Sequence, residues 1–446
     1  MKTLTVKLKQ HTPLIHFQHD QYGATLRASE VKPKLDRFIL AKLSDDERRE
    51  GECAGWIKRK NEKVWLDYKM RIEAEGKPKE YLICSLFSGG EFRDPQDQKI
   101  KKLPFEILKN TPFFAQENVN SGKEDNNSNL VFKIMGKNSN NQNIYIYNEE
   151  AWNSIGKKGL MWNGVKVIVC SMFPAIIEEI KKYLSEFFIC TNFGTRSTKG
   201  FGSFTIADSS ADIIDSVLKN NFQFVYKKDV SKLDMNGIFS DIKKNYQILK
   251  SGNNHKSYTK SLLFCYAADE MKKNPRWEKR FFKRAVQGKL PNGYRLLNKN
   301  KAPICDSRGK QSWKDEDRYE YKYIRAMLGV ADKYEFLLEN NFKNNGWKRD
   351  NKNKLIVKPR INGVDRCESP ILIKVLGGAM YLVGNDVNKG VLNKDVNITY
   401  SIGDRSLRVS EVFKSIKTPD PDVFSLKNFM AYAMKDKSDV GFTKIE

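Results

Sequence analysis

The chain has 446 residues, 40% of them apolar with 26 Phe and 18 Tyr, which is more than one core usually organises and enough to fold without disulfides or metal. Domains commonly hold on the order of 100 to 200 residues, so two or three are expected, with two as the working number. Lys and Arg number 79 against 54 Asp and Glu, and the net +25 at pH 7 makes nucleic acid the first partner to consider, while the absence of any run of 18 apolar residues excludes a spanning helix.

The opening MKTLTVKLKQ alternates, with Leu4, Val6 and Leu8 on one face and Thr5, Lys7 and Lys9 on the other, so it reads as a half-buried strand and not as a secretory leader. From Ser29 to Leu43, Val31, Leu35, Phe38, Ile39 and Leu43 recur at helical spacing, with Ser29 as the candidate cap and Pro33 near the first turn. YLICSLF (81 to 87), NLVFKIM (129 to 135), NIYIYN (143 to 148) and GVKVIVCSM (164 to 172) are rich in β-branched and aromatic residues and read as antiparallel strands. The Asn-rich stretches at 118 to 129 and 136 to 143 read as a hairpin tip or insertion.

Pro174 opens a helix in which Ile176, Ile177, Ile180, Leu184, Phe187 and Phe188 recur three and four apart up to Cys190, and Ser203 to Ile206 returns as a strand. The order β, α, several β, α, β is the split arrangement of a ferredoxin-like domain. At 208 to 218 the composition shifts to SSADIIDSVL, which places a boundary there: an N-terminal domain over 1–210 and a helix-rich second domain over 211–446. FSDIKKNYQIL, YTKSLLFCYAADEM, RWEKRFFKRAV and DRYEYKYIRAML show helical periodicity. SPILIKVL (369 to 376) and AMYLVG (379 to 384) form a hairpin around Gly377 and Gly378, and VFSLKNFMAYAM is a last helix. The cysteines Cys53, Cys84, Cys170, Cys190, Cys265, Cys305 and Cys367 are widely spaced without a CxxC pair, which fits free thiols in a reducing cytoplasm; Cys84 and Cys170 lie in apolar strands as small hydrophobes.

The most informative string is FGTRSTKGFGSF, where Gly194, Gly200 and Gly202 flank Arg196 and Lys199 between a helix and a strand. Glycines there let main-chain N–H groups approach a phosphate while the two cations supply counter-charge, and Phe201 can stack on a base or anchor the loop. It is neither a Walker loop nor a dinucleotide fingerprint. A second basic cluster at 271 to 300 interleaves Arg276, Lys279, Arg280, Lys283 and Arg284 with Trp277, Phe281 and Phe282, so that cations face phosphates while Phe281 and Phe282 pack inward. On the first helix Lys32, Lys34 and Arg37 either flank a phosphate path or form a solvated basic face.

Gly-x-Arg-x-x-Lys-Gly-Phe-Gly-Ser, after an amphipathic helix and before the last strand of a ferredoxin-like unit, resembles the glycine-rich loop of RAMP-superfamily proteins of CRISPR systems. HTPLIHF followed by TLRASEVKPKLDRFI, which contains Arg27, resembles that superfamily's first strand, turn and helix, and RCESPILIKV resembles a strand of its later part. The nearest resemblance is to the two-domain subunit of Cmr (type III-B) complexes, although the first helix carries KPKLD where that family often has Lys-Gly and a paired Arg. The resemblance implies an α+β fold of two ferredoxin-like (RRM-like) domains with helical insertions. It further implies an RNA-binding structural subunit of a type III CRISPR antiviral complex, touching guide or target RNA and other effector subunits, without cofactor, metal or membrane.

His11, His16 and His19 in HTPLIHFQH carry the rival reading, a metal-independent guide-processing endoribonuclease with a histidine general base on a 2′-hydroxyl. The related nucleases usually carry the glycine loop near the C-terminus, whereas here it lies in the middle.

Overall fold

The computed structural model describes the chain apart from residues 17–24, 84–89, 95–98, 110–131, 155–157, 208, 253–258, 272–277, 288, 298–322, 332, 342–345, 365–366, 368, 404, 412–415, 436–439 and 446. The described residues are a mixture of helices and mainly antiparallel sheets. They fall into two compact units, one of 1–245, 372–383 and 442–446, the other of 246–371 and 384–441.

In the first unit, β1 (Lys2–Gln10) is followed by α1 (Ala28–Lys42), α2 (Asp45–Cys53), the hairpin β2 (Ile57–Lys60) and β3 (Lys63–Leu66), and β4 (Lys69–Glu75). Then come β5 (Gly164–Ser171), α3 (Pro174–Cys190) and β6 (Phe204–Ile206). The strands lie in the order β6-β1-β5-β4, each antiparallel to its neighbour. Leu4, Val6 and Leu8 pair with Val169, Val167 and Val165, so the alternation read from the sequence sets the register. That apolar face is covered by Val31, Leu35 and Ile39 of α1 and Ile176, Ile180, Leu184, Phe187 and Phe188 of α3. Each such side chain contributes roughly 1.5–3 kcal/mol when fully buried.

α3 runs over the span its periodicity indicates, Pro174 to Cys190. α1 begins two residues earlier than a Ser29 cap predicts: Arg27 is the N-cap without a side-chain cap bond, and Ser29 stands exposed inside the first turn. The Asn-rich stretch at 136 to 143 is a hairpin tip. Asn138 Oδ1 accepts from the N–H of Asn140 (3.0 Å) and Gln142 (2.9 Å), while Asn141 takes a positive φ of 60°; residues 118 to 129 lie outside the described part.

The SSADIIDSVL segment is a helix, Ala211–Asn221, with Ser210 accepting from the Ile213 N–H at 3.4 Å. After it, β7 (Phe224–Asp229) leads to α4 (Met235–Tyr246); later come β8 (Ile371–Leu376), β9 (Ala379–Gly384), α5 (Leu426–Ala433) and β10 (Thr443–Lys444). These strands form a second sheet in the order β8-β9-β7-β10. Gly377 and Gly378, with φ of 57° and 84°, make the tight β8–β9 turn that the sequence announced. Ile189, Ile214, Leu218, Val225, Leu376, Tyr381 and Val383 form the core beside it.

The second unit is richer in strands than expected. Its five-stranded sheet orders Tyr294–Leu296, Tyr334–Asn340, Lys348–Ile361, Val396–Ile402 and Arg405–Glu411 side by side. Helices Leu262–Asp269 and Glu278–Gln287 lie near the spans anticipated. The described end of DRYEYKYIRAML is instead a short 3-10 turn, Ile324–Leu328, buried, with Arg325 paired to the buried Glu278 carboxylate. Tyr334 donates to the same carboxylate at 2.9 Å, so the lone acid of the basic 271–300 stretch is the anchor of an internal polar network.

Candidate nucleic-acid interface

The loop between α3 and β6 is held by its own main chain. The N–H groups of Gly194, Thr195 and Gly202 donate to Glu30 Oε1 (2.9 Å), Ile15 O (2.8 Å) and Pro13 O (3.0 Å), and that of Lys199 to Arg196 O (2.8 Å). Those amides are therefore committed to the fold and do not form the open anion cradle the sequence suggested. The glycines answer a packing need. All three have positive φ (75°, 87° and 64° at Gly194, Gly200 and Gly202), and a Cβ would stand 2.4 Å from Ile15 O at Gly194 and 2.0 Å from Phe193 O at Gly202.

Phe201, which could have stacked on a base, is fully buried and stacked on Phe239 of α4 with centroids 4.2 Å apart; it anchors the loop. Lys199 is only 7% exposed, because its segment runs as a β-bridge beside Ile373 of β8, whose N–H donates to Thr198 O at 3.3 Å. Asn192 ties the two ends together: its Nδ2 donates to Ser197 O (2.7 Å) and Ile373 O (2.8 Å), and its Oδ1 accepts from Ser203 Oγ (2.9 Å). Arg196, Ser197 and Thr198 remain half-exposed at the crest, Arg196 with a positive φ of 60°.

The start of α1 meets this loop. Glu30 accepts from Lys34 Nζ at 2.9 Å as well as from Gly194, and Lys34 Nζ also lies 3.4 Å from Asn192 O and 5.0 Å from the Phe193 ring centroid. Arg27, half-buried, stands at the N-cap of the same helix. Lys32 diverges, donating to Asp36 Oδ2 and Leu66 O, both at 2.8 Å, and sitting 4.1 Å from the Tyr68 ring centroid. Arg37 is exposed on that second flank, its Nε 3.1 Å from Pro33 O. The structure thus joins Arg27, Lys34 and Arg196 to one neighbourhood and sends Lys32 and Arg37 to another.

His11 is held between strands. Its Nε2 is 2.8 Å from Thr205 Oγ1 and its Nδ1 accepts from the Gly377 N–H at 3.5 Å, and burial together with Lys9 and Lys374 lowers its pKa to about 4. A ring already engaged at both nitrogens is poorly placed to take a proton from a substrate. His16 is buried, and His19 lies outside the described residues. On the helix Glu278–Gln287, Phe281 and Phe282 pack inward as anticipated, Lys279 and Arg280 are exposed and Lys283 is half-buried; Arg284 belongs to the same helix, and Arg276 lies outside the described residues.

Two residues that shape this region escaped the sequence reading. Lys374, buried on β8, donates to the carbonyls of Phe188 (2.9 Å) and Thr191 (2.8 Å) and so satisfies the end of α3. A lysine inside the apolar run ILIKVL was the available signal. Glu30, which holds Gly194 and Lys34, offered no comparable signal.

Residues 1–136 and 97–253 match a family model described as the Cmr1 N-terminal domain, and residues 258–442 match one described as the Cmr1 C-terminal domain. No curated protein matches the chain.

Proposed function

The chain belongs to the Cmr1 family of type III-B CRISPR-associated proteins, and from that premise we propose that it is the effector complex's RNA-binding structural subunit, contacting guide or target RNA. Membership makes it a subunit of a type III-B effector complex beside that complex's other subunits.

Two ferredoxin-like folds are part of this reading. With strands numbered by chain order, β6-β1-β5-β4 is 4-1-3-2; β8-β9-β7-β10, taken from its other edge, is also 4-1-3-2. In both, a helix follows the first strand (α1, α4) and another precedes the fourth (α3, α5). The boundary read near residue 210 belongs to the same proposal, in which the later repeat is interrupted along the chain by 246–371 and 384–441.

The observation that carries RNA binding is the preorganised crest of the glycine loop. Arg196 stands half-exposed on a backbone fixed by Gly194, Gly202 and Asn192, with Arg27 at the adjoining helix start, in a chain of net +25. A cation so held loses little freedom when it meets a phosphate, and a hydrogen bond to a charged group contributes about 1.5–3 kcal/mol. Arg196→Gln should weaken binding of a single-stranded RNA about tenfold or more by fluorescence anisotropy, with an unchanged melting temperature. Wild-type affinity in the folded variant would remove the loop from the interface.

A further inference from the structure

On the flank of α1 that carries Arg37, a groove of about 790 Å³ lies between α1, α2 and the β2–β3 hairpin. Its apolar lining comes from Leu40, Ile57 and Val64, and Trp65 stands in its wall with 38% of its surface exposed. An indole is among the largest apolar surfaces a chain can leave in water, and one that lines a concave site is a ready stacking platform.

The charges around it are unequal. Lys32 is paired with Asp36 at 2.8 Å and Arg59 with Glu52 at 2.7 Å, which neutralises two of the cations. Arg37 and Arg48 have no carboxylate partner among the described residues. Arg37 gives its Nε to Pro33 O (3.1 Å), and Arg48 gives Nε (3.0 Å) and Nη2 (2.5 Å) to Leu40 O, so backbone carbonyls orient both guanidinium groups. Lys63, exposed at the start of β3, adds a third positive charge against the single remaining acid, Glu62. Asn61, in the left-handed region at φ 54°, turns the hairpin tightly, and its register sets Ile57, Arg59 and Val64 on one face and Lys58, Lys63 and Trp65 on the other, with Lys63 and Trp65 bordering the groove.

We propose that this groove holds one nucleotide of a single-stranded RNA, its base against Trp65 and its phosphate between Arg37 and Arg48. The claim rests on the RNA-binding reading but on none of the residues of the glycine loop. An apolar floor with an indole suits any base, since every base has a π-face, so the groove selects for an unpaired nucleotide and not for sequence. An acidic peptide would satisfy the arginines, but it would leave the stacking surface to an aromatic side chain that nothing in the groove orients.

The test uses the full chain, an oligoadenylate hexamer and an abasic hexamer of the same backbone, with Trp65→Ala, Trp65→Phe and Arg37→Gln, all at exposed positions. Trp65→Ala should weaken the adenylate hexamer about tenfold, Trp65→Phe less, and neither should change the abasic hexamer; Arg37→Gln should weaken both. The groove claim fails alone if the wild type binds, Arg196→Gln weakens binding, and folded Trp65→Ala binds the adenylate hexamer normally. It also fails if a Glu-rich peptide, and not the RNA, binds in a Trp65-dependent way. Should the wild type bind neither hexamer at low salt, the groove and the RNA-binding reading fall together.

Discussion

At the scale of single residues, His11 shows how one side chain links charge to stability. Its ring bridges Thr205 on β6 and Gly377 in the β8–β9 turn, and it stays neutral because burial, Lys9 and Lys374 all oppose its protonation. Folded, it titrates at about 4, against an ordinary 6.5. Between those values the unfolded chain binds a proton that the folded chain does not, so the contribution is fully present above pH 6.5 and is lost as pH falls towards 4. At roughly 1.4 kcal/mol per pH unit the loss is about 3 kcal/mol. Melting curves of the wild type and His11→Asn at about pH 7.5 and 4.5 should show the wild type losing more stability over that interval. Equal losses in the two proteins would mean that the ring titrates freely in the folded state.

At the scale of elements, the glycine loop is a joint between the 13–15 segment that follows β1, α1, α4 and β8, and its glycines differ in how much they tolerate. A Cβ at Gly202 meets the Phe193 carbonyl oxygen at 2.0 Å and its carbon at 2.9 Å, which are main-chain atoms that cannot step aside; at Gly200 the nearest atom is the end of the Ile242 side chain, 2.7 Å away. Gly202→Ala should therefore cost more than about 3 kcal/mol and Gly200→Ala about 1–2 kcal/mol, read from denaturant midpoints. A Gly202→Ala protein as stable as the wild type would mean that the loop does not sit on Pro13 and Phe193. The glycines and their spacing were legible in the sequence, as were β1, α3 and the Gly377–Gly378 turn, because each rests on local periodicity or on a single backbone requirement. The burial of Lys199 and Phe201 was not, since it is imposed by Ile373 and Phe239, which are distant in the chain. Lys348–Ile361 was missed for a related reason. Leu355, Val357 and Ile361 alternate inward, but the strand's first half, KRDNKN, has no apolar face, and Pro359 reads as a breaker.

For the molecule as a whole, a net charge of +25 attracts any polyanion, so affinity alone does not tell a built interface from a general field. Many of the cations are already occupied: Lys34 by Glu30, Lys32 by Asp36, Lys166 by Glu75, Lys227 by Asp215 and Lys228 by Asp241. Paired lysines displace few counterions from an incoming phosphate, whereas Arg37 and Arg48 face no carboxylate among the described residues. Salt dependence separates these contributions. For single strands log Kobs falls with log salt at about −0.7 per phosphate neutralised, so Arg196→Gln and Arg37→Gln should each make the slope shallower by about 0.7. Trp65→Ala should lower affinity at every salt concentration and leave the slope alone, because stacking releases no counterions. The measurement is an anisotropy titration of the adenylate hexamer from about 50 to 300 mM salt for the wild type and the three variants. Four parallel lines would assign RNA affinity to the diffuse field of the molecule; two shallower lines, with the Trp65→Ala line displaced but parallel, would assign it to discrete contacts at the loop crest and in the groove.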